Sequence, residues 1–259
     1  MKPARKLPGI DAGRRIATGV LKLSSPLHFH LALARNAWGR RWLNSWVRCE
    51  CWAVRHAGTS RRLAKRAFDL VGSGLLLLAS APLLGLLALI VKLEDGGAVF
   101  FSQTRVGKDG RTFRMLKFRS MQPDAEALLE KLLGQNQHGT GVTFKMKDDP
   151  RLTRVGKWMR AFSLDELPQF INVLRGEMSL VGPRPPTERE VARYTPSDRR
   201  RLTVKPGITC FWQVSGRSNI DFSGQVKLDV RYIESASLWL DLRLLLLTVP
   251  AILTGKGAY

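Results

Sequence analysis

From Leu70 through Val91 no side chain carries a charge. At 1.5 Å per residue, about twenty helical residues already cross a hydrocarbon layer of roughly 30 Å. Such a stretch commits the chain to a membrane unless a core of its own covers it. Two features argue against a simple span. Ser80-Ala81-Pro82 falls near the middle, where proline removes a helix hydrogen bond and crowds the preceding turn. Both flanks are basic, with Arg61, Arg62, Lys65 and Arg66 before the stretch and Lys92, Arg105, Lys108 and Arg111 after it. Lys and Arg belong on the cytoplasmic side, so charge symmetry favours a helix–break–helix that enters one leaflet and returns. Backbone groups freed at the break are expected to be satisfied by Ser80 or by packing.

The chain beyond residue 95 reads as a mixed α and β domain. Ala98–Arg119 predicts a β-hairpin, with strand formers on either side of Asp109-Gly110, a tight-turn pair. Lys117 and Arg119 alternate with Phe118, which puts both cations on one face. A short helix is expected over Asp124–Leu133, a polar loop over Gly134–Gly141, and a turn at Asp148-Asp149-Pro150 whose acids are taken as solvated. Helices are expected over Leu152–Phe162 and Leu167–Leu174, the second stopping near Gly176. Pro183-Arg184-Pro185-Pro186 stiffens the backbone around an arginine. Residues 187–204 read as a charged, exposed helix and turn. Lys205-Pro206-Gly207 and Ser215-Gly216-Arg217 read as turns that each carry a cation. Gln225–Glu234 is expected to form a helix bearing Asp229. Leu238–Leu253, interrupted by Asp241, Arg243 and Pro250, reads as packed on the domain or lying at an interface.

The formal net charge is +21 with a pI near 10.9, which calls for an acidic partner: nucleic acid, anionic lipid or a phosphorylated substrate. The first 66 residues hold fifteen Lys/Arg against Asp11 and Glu50, so 15 − 2 = +13 of that charge lies there. Trp38, Trp42 and Trp46 recur at four-residue steps beside arginines, the composition of a helix lying in a membrane interface, the alternative being a stripe packed on the protein's own core. The opening mixes Pro, Gly and Arg without a period and reads as loosely attached. No cleavable signal peptide is expected there. Cys49, Cys51 and Cys210 lack the spacing of a zinc site and read as reduced. No nucleic-acid module accompanies the charge, and an apolar run is not something such a module needs. The domains expected are 1–64, a basic extension; 65–95, the membrane element; and 96–259, the domain that carries chemistry.

Chemistry concentrates at Ser163-Leu164-Asp165-Glu166-Leu167-Pro168-Gln169. Two adjacent carboxylates stand between Arg154, Lys157 and Arg160 on one side and Arg175 and Arg184 on the other. Cations keep such an Asp ionised, able to attack phosphorus or bind a hard cation, and they suit a phosphate substrate. Local residues alone favour a helix start in which Ser163 caps and Glu166 closes a capping box; the rest of the chain points to chemistry.

The ordered set of motifs carries a resemblance. It runs Lys65-Arg66-x-Phe68-Asp69, the apolar run with Pro82, Gln103-x-Arg105-x-Gly107, Lys117-Phe118-Arg119-Ser120-Met121, Ser163 to Gln169, and Asn172-Val173-Leu174-x-Gly176. Met178 to Pro185, Pro206-Gly207-Ile208-Thr209, Trp212 to Arg217 and Leu228-Asp229 complete it. Over about three quarters of its length the chain resembles the monotopic bacterial phosphoglycosyl transferases, which begin glycan assembly on polyprenyl phosphate.

That resemblance implies an α+β monotopic membrane protein: a re-entrant helix, a β-hairpin and interfacial amphipathic helices around a small catalytic domain. It implies residence at the cytoplasmic face of the bacterial inner membrane. The activity it implies is transfer of a sugar-1-phosphate from a UDP-sugar to undecaprenyl phosphate, with UMP leaving and an aspartyl phosphosugar as intermediate. Asp165 is then the nucleophile and a Mg²⁺ ligand, with Glu166 assisting. Lys117, Arg119, Arg160, Arg184, Arg217 and Asp229 are assigned to the substrate, and Ser80 and Pro82 to the membrane break. Inner-membrane lipid is the implied surroundings, and nucleic acid is not a partner. The rival reading is a non-catalytic, membrane-anchored partner of a glycan assembly complex. Two departures stand out: Ala81 precedes Pro82 where the family has Ser, and Cys210 follows Thr209 where Gly is frequent.

Overall fold

A computed structural model describes residues 37–122, 125–132, 146 and 149–254. The loop expected at Gly134–Gly141, Asp148, and the side chains of Trp38, Trp42 and Trp46 lie outside the described residues. The chain divides into two units, Met1–Arg62 and Leu63–Tyr259. In the first, the described residues belong to helix α1 (Ala37–Asp95). The second holds the apolar part of that helix and every later element.

The stretch Thr59–Asp95 is, by length and composition, able to cross a membrane. Its leucines are largely uncovered, Leu78 being 74% exposed. The break expected at Ser80-Ala81-Pro82 is not seen as an interruption: the chain is helical on both sides of Pro82 and through it. One missing N–H costs a single turn its bond, and the remaining backbone groups of an apolar stretch find their best partners within the helix. Nor does Ser80 reach the carbonyl that Pro82 frees at residue 78. Its hydroxyl donates to the Leu76 carbonyl at 2.7 Å and the Leu77 carbonyl at 3.3 Å.

Both ends of the apolar stretch are fastened to the domain. At the start, Arg66 donates to the Val173 and Leu174 carbonyls at 2.6 and 2.8 Å. Lys65 pairs with Asp69 at 3.0 Å and Asp241 at 2.9 Å, and buried Asp69 accepts from the Ser179 hydroxyl and the Leu180 N–H. The motif Lys65-Arg66-x-Phe68-Asp69 is thus a clip. At the far end Leu87 and Val91 are buried with Phe118 and Met159, and Glu94 accepts from the Val155 N–H at 3.1 Å.

The hairpin forms as expected. Strands β1 (Phe100–Val106) and β2 (Thr112–Phe118) pair antiparallel from Phe100↔Phe118 to Val106↔Thr112. Asp109 (φ 57°) and Gly110 (φ 79°) turn the chain in the left-handed region, which these two residue types tolerate best. Phe113 and Met115 enter a core with Val173, Met178, Leu180, Val181, Tyr232 and Leu244, while Phe118 on the opposite face joins Leu87 and Val91. Helix α2 (Ala125–Leu132) is the expected short helix.

Asp149, expected in solvent, is instead nearly buried and held by Arg151 at 2.6 Å. Helix α3 (Arg154–Ala161) comes next, capped by Thr153, whose hydroxyl accepts from the Gly156 N–H. A Cβ on Gly156 would stand 2.0 Å from the Ser120 carbonyl oxygen, so α3 lies backbone against backbone on the exit of β2. Helix α4 (Gln169–Arg175) ends at Gly176 in the left-handed region, φ 83°, as its sequence predicts.

Two three-residue strands, β3 (Ser179–Val181) and β4 (Gly207–Thr209), pair in parallel. They are too short to leave a period in the sequence, and the turn expected at Lys205-Pro206-Gly207 proves to be the entry to β4. Residues 187–204, expected to be exposed, hold helix α5 (Glu188–Val191) and a 3-10 turn over Asp198–Thr203 that buries Arg201 and Leu202. Helix α6 (Phe211–Ser215) leads to α7 (Phe222–Ser235), capped by Asp221. Helix α8 (Leu238–Thr254) packs through one face: Asp241 and Leu244 are buried and Thr248 bonds Thr209 at 2.7 Å. Trp239, Leu246, Val249 and Leu253 face outward. The second unit is an α+β domain that carries a long apolar helix.

Candidate active site

Ser163 does not cap a helix. It sits in the left-handed region, φ 55°, makes no capping hydrogen bond, and opens a 3-10 turn over Leu164–Glu166. The capping-box reading is therefore corrected. Its residue pattern is present, but the chain turns too sharply after α3 for the Ser163 hydroxyl to reach the N–H groups ahead. Leu164, which opens the turn, and Leu167, which follows it, pack against the cluster of Leu87, Val91, Phe118 and Met159. Those contacts fix the turn against that core and leave Asp165, 3% exposed, and Glu166 to face β2.

Lys117 meets them. Its ammonium donates to Glu166 Oε1 at 2.6 Å and to Asp165 Oδ2 at 3.5 Å. Burial by itself would raise the Glu166 carboxyl, but Lys117, with Arg184 and Arg160 further off, outweighs it and holds the group down to about 2. Glu166 is accordingly a carboxylate at neutral pH, able to accept a proton or a cation but not to donate.

Two arginines complete the surround. Arg160 closes the last turn of α3, and Arg184 lies in the Pro183–Pro186 segment; both are half-buried. Among the described residues neither guanidinium makes a hydrogen bond or ion pair. The segment bearing Arg184 is held from β1: Arg105 donates to the Pro185 carbonyl at 3.0 Å, and the Val106 N–H donates to the Pro186 carbonyl at 2.9 Å. Gln103 Oε1 in turn accepts from Arg105 Nε at 3.0 Å and Nη2 at 2.6 Å. Burial, together with nearby Arg184, lowers Arg105 to about 10. The Gln103-x-Arg105 pattern thus serves to hold Arg184 in place. Arg217, at φ 52°, donates through Nη2 to the Ser163 hydroxyl at 2.9 Å, while its Nη1 is buried without a partner among the described residues.

Lys117, Arg160, Arg184 and Arg217 all either touch the dyad turn or act on Glu166 through charge. Arg119 and Asp229 do not. Arg119 follows Lys117 by two residues but turns to Asp95 at the end of α1 in a bidentate pair, and its Nε donates to the Ala98 carbonyl. Asp229 is fully buried and accepts from Arg201 Nε at 2.7 Å. The Arg201 guanidinium lies 5.8 and 5.7 Å from the Tyr194 and Phe222 rings. Burial pushes Asp229 up to about 6 despite Arg201. Cys210, beside this cluster, is buried and donates to Gln213 Oε1 at 3.2 Å; burial raises its thiol well above the ordinary value.

Sequence reasoning passed over Arg201 as surface charge and gave Asn172 no role. The Asn172 side chain accepts from the Leu116 N–H at 3.0 Å and donates to the Arg114 carbonyl at 2.8 Å, tying α4 to the strand that carries Lys117. A buried Asn in a helix of seven residues offers no periodic signal that would have marked it.

As a cation site, the dyad supplies two carboxylates. No group of three or more His, Cys, Asp or Glu side chains suited to a metal occurs among the described residues. That donor set suits Mg²⁺, which takes one or two carboxylates and completes its shell with water and substrate phosphates.

The bacterial sugar transferase family model matches residues 60–255. A galactosyl transferase, CpsE, of Streptococcus agalactiae is 51% identical over 203 residues, covering 77% of this chain and 44% of that protein. The exopolysaccharide production protein ExoY of Rhizobium meliloti is 40% identical over 213 residues, covering 81% of this chain and 93% of its own. A UDP-glucose:undecaprenyl-phosphate glucose-1-phosphate transferase of Caulobacter vibrioides is 41% identical over 205 residues, covering 76% and 72%. The chain thus spans under half of the Streptococcus protein and nearly all of ExoY. The matched region contains the clip, the hairpin, the dyad and the arginines around it, and the chain belongs to the bacterial sugar transferase family.

Proposed function

We propose that the chain transfers a sugar-1-phosphate from a UDP-sugar to undecaprenyl phosphate through a covalent aspartyl intermediate. The observation that carries this reading is a buried Asp165 beside an ionised Glu166, with the Arg160 and Arg184 guanidinium groups acting on Glu166 through charge while making no hydrogen bond or ion pair among the described residues. Asp165 attacks the phosphorus bearing the sugar, a P–O bond forms to its carboxylate, and the bond to the leaving UMP oxygen breaks. An oxygen of undecaprenyl phosphate then attacks the same phosphorus, and the Asp165–phosphorus bond breaks to release the lipid diphosphosugar. Arg160 and Arg184 bind the phosphate oxygens that gain charge, a task for which the guanidinium fork is suited. Asp165 and Glu166 would hold Mg²⁺, which supplies charge neutralisation at the leaving phosphate. A degenerate, non-catalytic partner would have no need for a complete dyad ringed by uncommitted arginines.

Incubating the protein with a UDP-sugar and Mg²⁺ but no lipid acceptor should release one UMP per chain and leave a phosphosugar on the Asp165 peptide by mass spectrometry. Product formation with that peptide unmodified would exclude the intermediate.

The same reading places the apolar helix in one leaflet, entering and leaving at the cytoplasmic face with a bend at Ser80–Pro82. Cations on both flanks support it. Single cysteines introduced at the exposed positions 60 and 122 should both be shielded from an impermeant thiol reagent added outside intact cells. Labelling of one alone would mean a full crossing.

A further inference from the structure

Lys117 is in the place a divalent ion would need. Its ammonium is 2.6 Å from Glu166 Oε1 and 3.5 Å from Asp165 Oδ2, and an ion ligated by those oxygens would sit about 2.1 Å from them. Two cations on the same pair of oxygens exclude each other by contact and by charge. Lys117 is on a strand paired through its backbone to Phe101, so the ammonium can leave only by turning its own four-carbon stem, which is flexible. It has no second acid to turn to: among the described residues, the carboxylates it contacts are those of the dyad alone. Arg160, Arg184 and Arg217 add to the positive field around the same point. A bare divalent ion therefore meets an occupied and repelling site, whereas one that arrives with a diphosphate brings an anion to which the ammonium can move and which the arginines can bind.

We propose that Lys117 is a place-holder in the resting enzyme, closing the dyad to free divalent ions, and that metal and nucleotide diphosphate enter together as the ammonium moves from the carboxylates to phosphate. This rests on the reading of the dyad as the Mg²⁺-dependent phosphosugar site. In its terms Lys117 is a gate for the metal as well as a substrate ligand, and the metal's affinity is coupled to that of the donor.

The test is Mn²⁺ binding to the full chain in detergent, read from loss of the free-ion electron paramagnetic resonance signal. Titrations are made with and without UDP and corrected for Mn²⁺ bound by UDP itself. Wild type should bind Mn²⁺ at least about tenfold more tightly when UDP is present, a coupling in the ordinary range for linked sites. Lys117→Gln, which keeps a hydrogen-bond donor near both carboxylates, should bind Mn²⁺ alone at least about tenfold more tightly than wild type, with the dependence on UDP largely lost. Mg²⁺ alone should then raise the thermal midpoint of Lys117→Gln and leave that of wild type unchanged, since binding to the folded form stabilises it.

Lys117→Gln that binds Mn²⁺ no better than wild type would overturn the proposal, as would wild type that binds it equally well without UDP. Should Lys117→Gln not fold, Lys117→Arg retains the charge and must exclude Mn²⁺ as wild type does; tight binding by it would also overturn the proposal. Labelling of Asp165 by donor is independent of these titrations. A labelled Asp165 with unaltered Mn²⁺ binding removes the place-holder alone, and an unlabelled one removes the reading on which it rests.

Discussion

Asp165→Asn should lose turnover by at least about 10⁴-fold, the scale on which removal of a covalent nucleophile is felt, and should release no UMP in the absence of acceptor. The amide nearly preserves shape, so the loss cannot be assigned to packing. Lys117 keeps Glu166 as its closer partner at 2.6 Å, and Leu164 and Leu167 still anchor the turn in the Leu87–Val91 cluster. The variant should therefore fold, with a thermal midpoint close to that of wild type. Glu166→Gln should be milder, because Asp165 retains its position and Lys117 then turns to it alone. UMP release by Asp165→Asn at more than about a hundredth of the wild-type rate would place the covalent bond elsewhere or remove it from the reaction. The comparison is made by coupled detection of UMP at saturating donor, so that a change in substrate affinity does not stand in for a change in chemistry.

The second large effect is on stability, away from the dyad. Arg201→Met should destabilise the domain by about 3–5 kcal/mol near pH 8, the range seen when one member of a buried ion pair is removed. For a domain of this size that lowers the thermal midpoint by on the order of 10 °C. The cause is Asp229, fully buried, with one oxygen on Arg201 and Oδ1 already without a partner among the described residues. The loss should depend on pH in a definite sense. Folding raises the Asp229 carboxyl to about 6, above its unfolded value, so its contribution is full in acid and fades as pH rises through about 6. Without Arg201 the folded group rises further, since Arg201 is what draws it down. Wild type and variant then differ most in the alkaline range, and the gap should narrow as pH falls from 8 towards 5, where both forms are protonated. Melting curves across that range check it; a gap that widens towards acid would mean that Asp229 is not the group left exposed to the change. The aromatic rings of Tyr194 and Phe222 that flank the guanidinium make methionine the fitting replacement, as it fills the space without a charge.

Much of this was legible because it is local. The hairpin follows from strand formers around Asp109-Gly110, the end of α4 from Gly176, and the apolar helix from an uncharged run. Each depends on residues adjacent in the chain and on the backbone geometry they allow. Failures have the opposite character. Ser163 carries the residues of a capping box, yet its neighbours Leu164 and Leu167 are claimed by a core of Leu87, Val91, Phe118 and Met159, gathered from separate parts of the chain, and that packing sets the turn. Strands β3 and β4, three residues each, exist because Ser179 and Gly207 meet across the fold. Arg201 lies among charged neighbours and is buried only because Asp229, in a helix further on, needs it.

The order of residues by itself determined that the chain has a membrane-seeking helix with basic ends, a hairpin after it and a carboxylate pair among cations, because composition and spacing act at short range. Which cations serve that pair was decided by tertiary structure alone. Lys117 and Arg119 are two residues apart on one expected face, but one reaches Asp165 and Glu166 while the other is taken by Asp95. A charged side chain settles on whatever opposite charge the fold brings within a few ångströms, and no pattern along the chain records that distance.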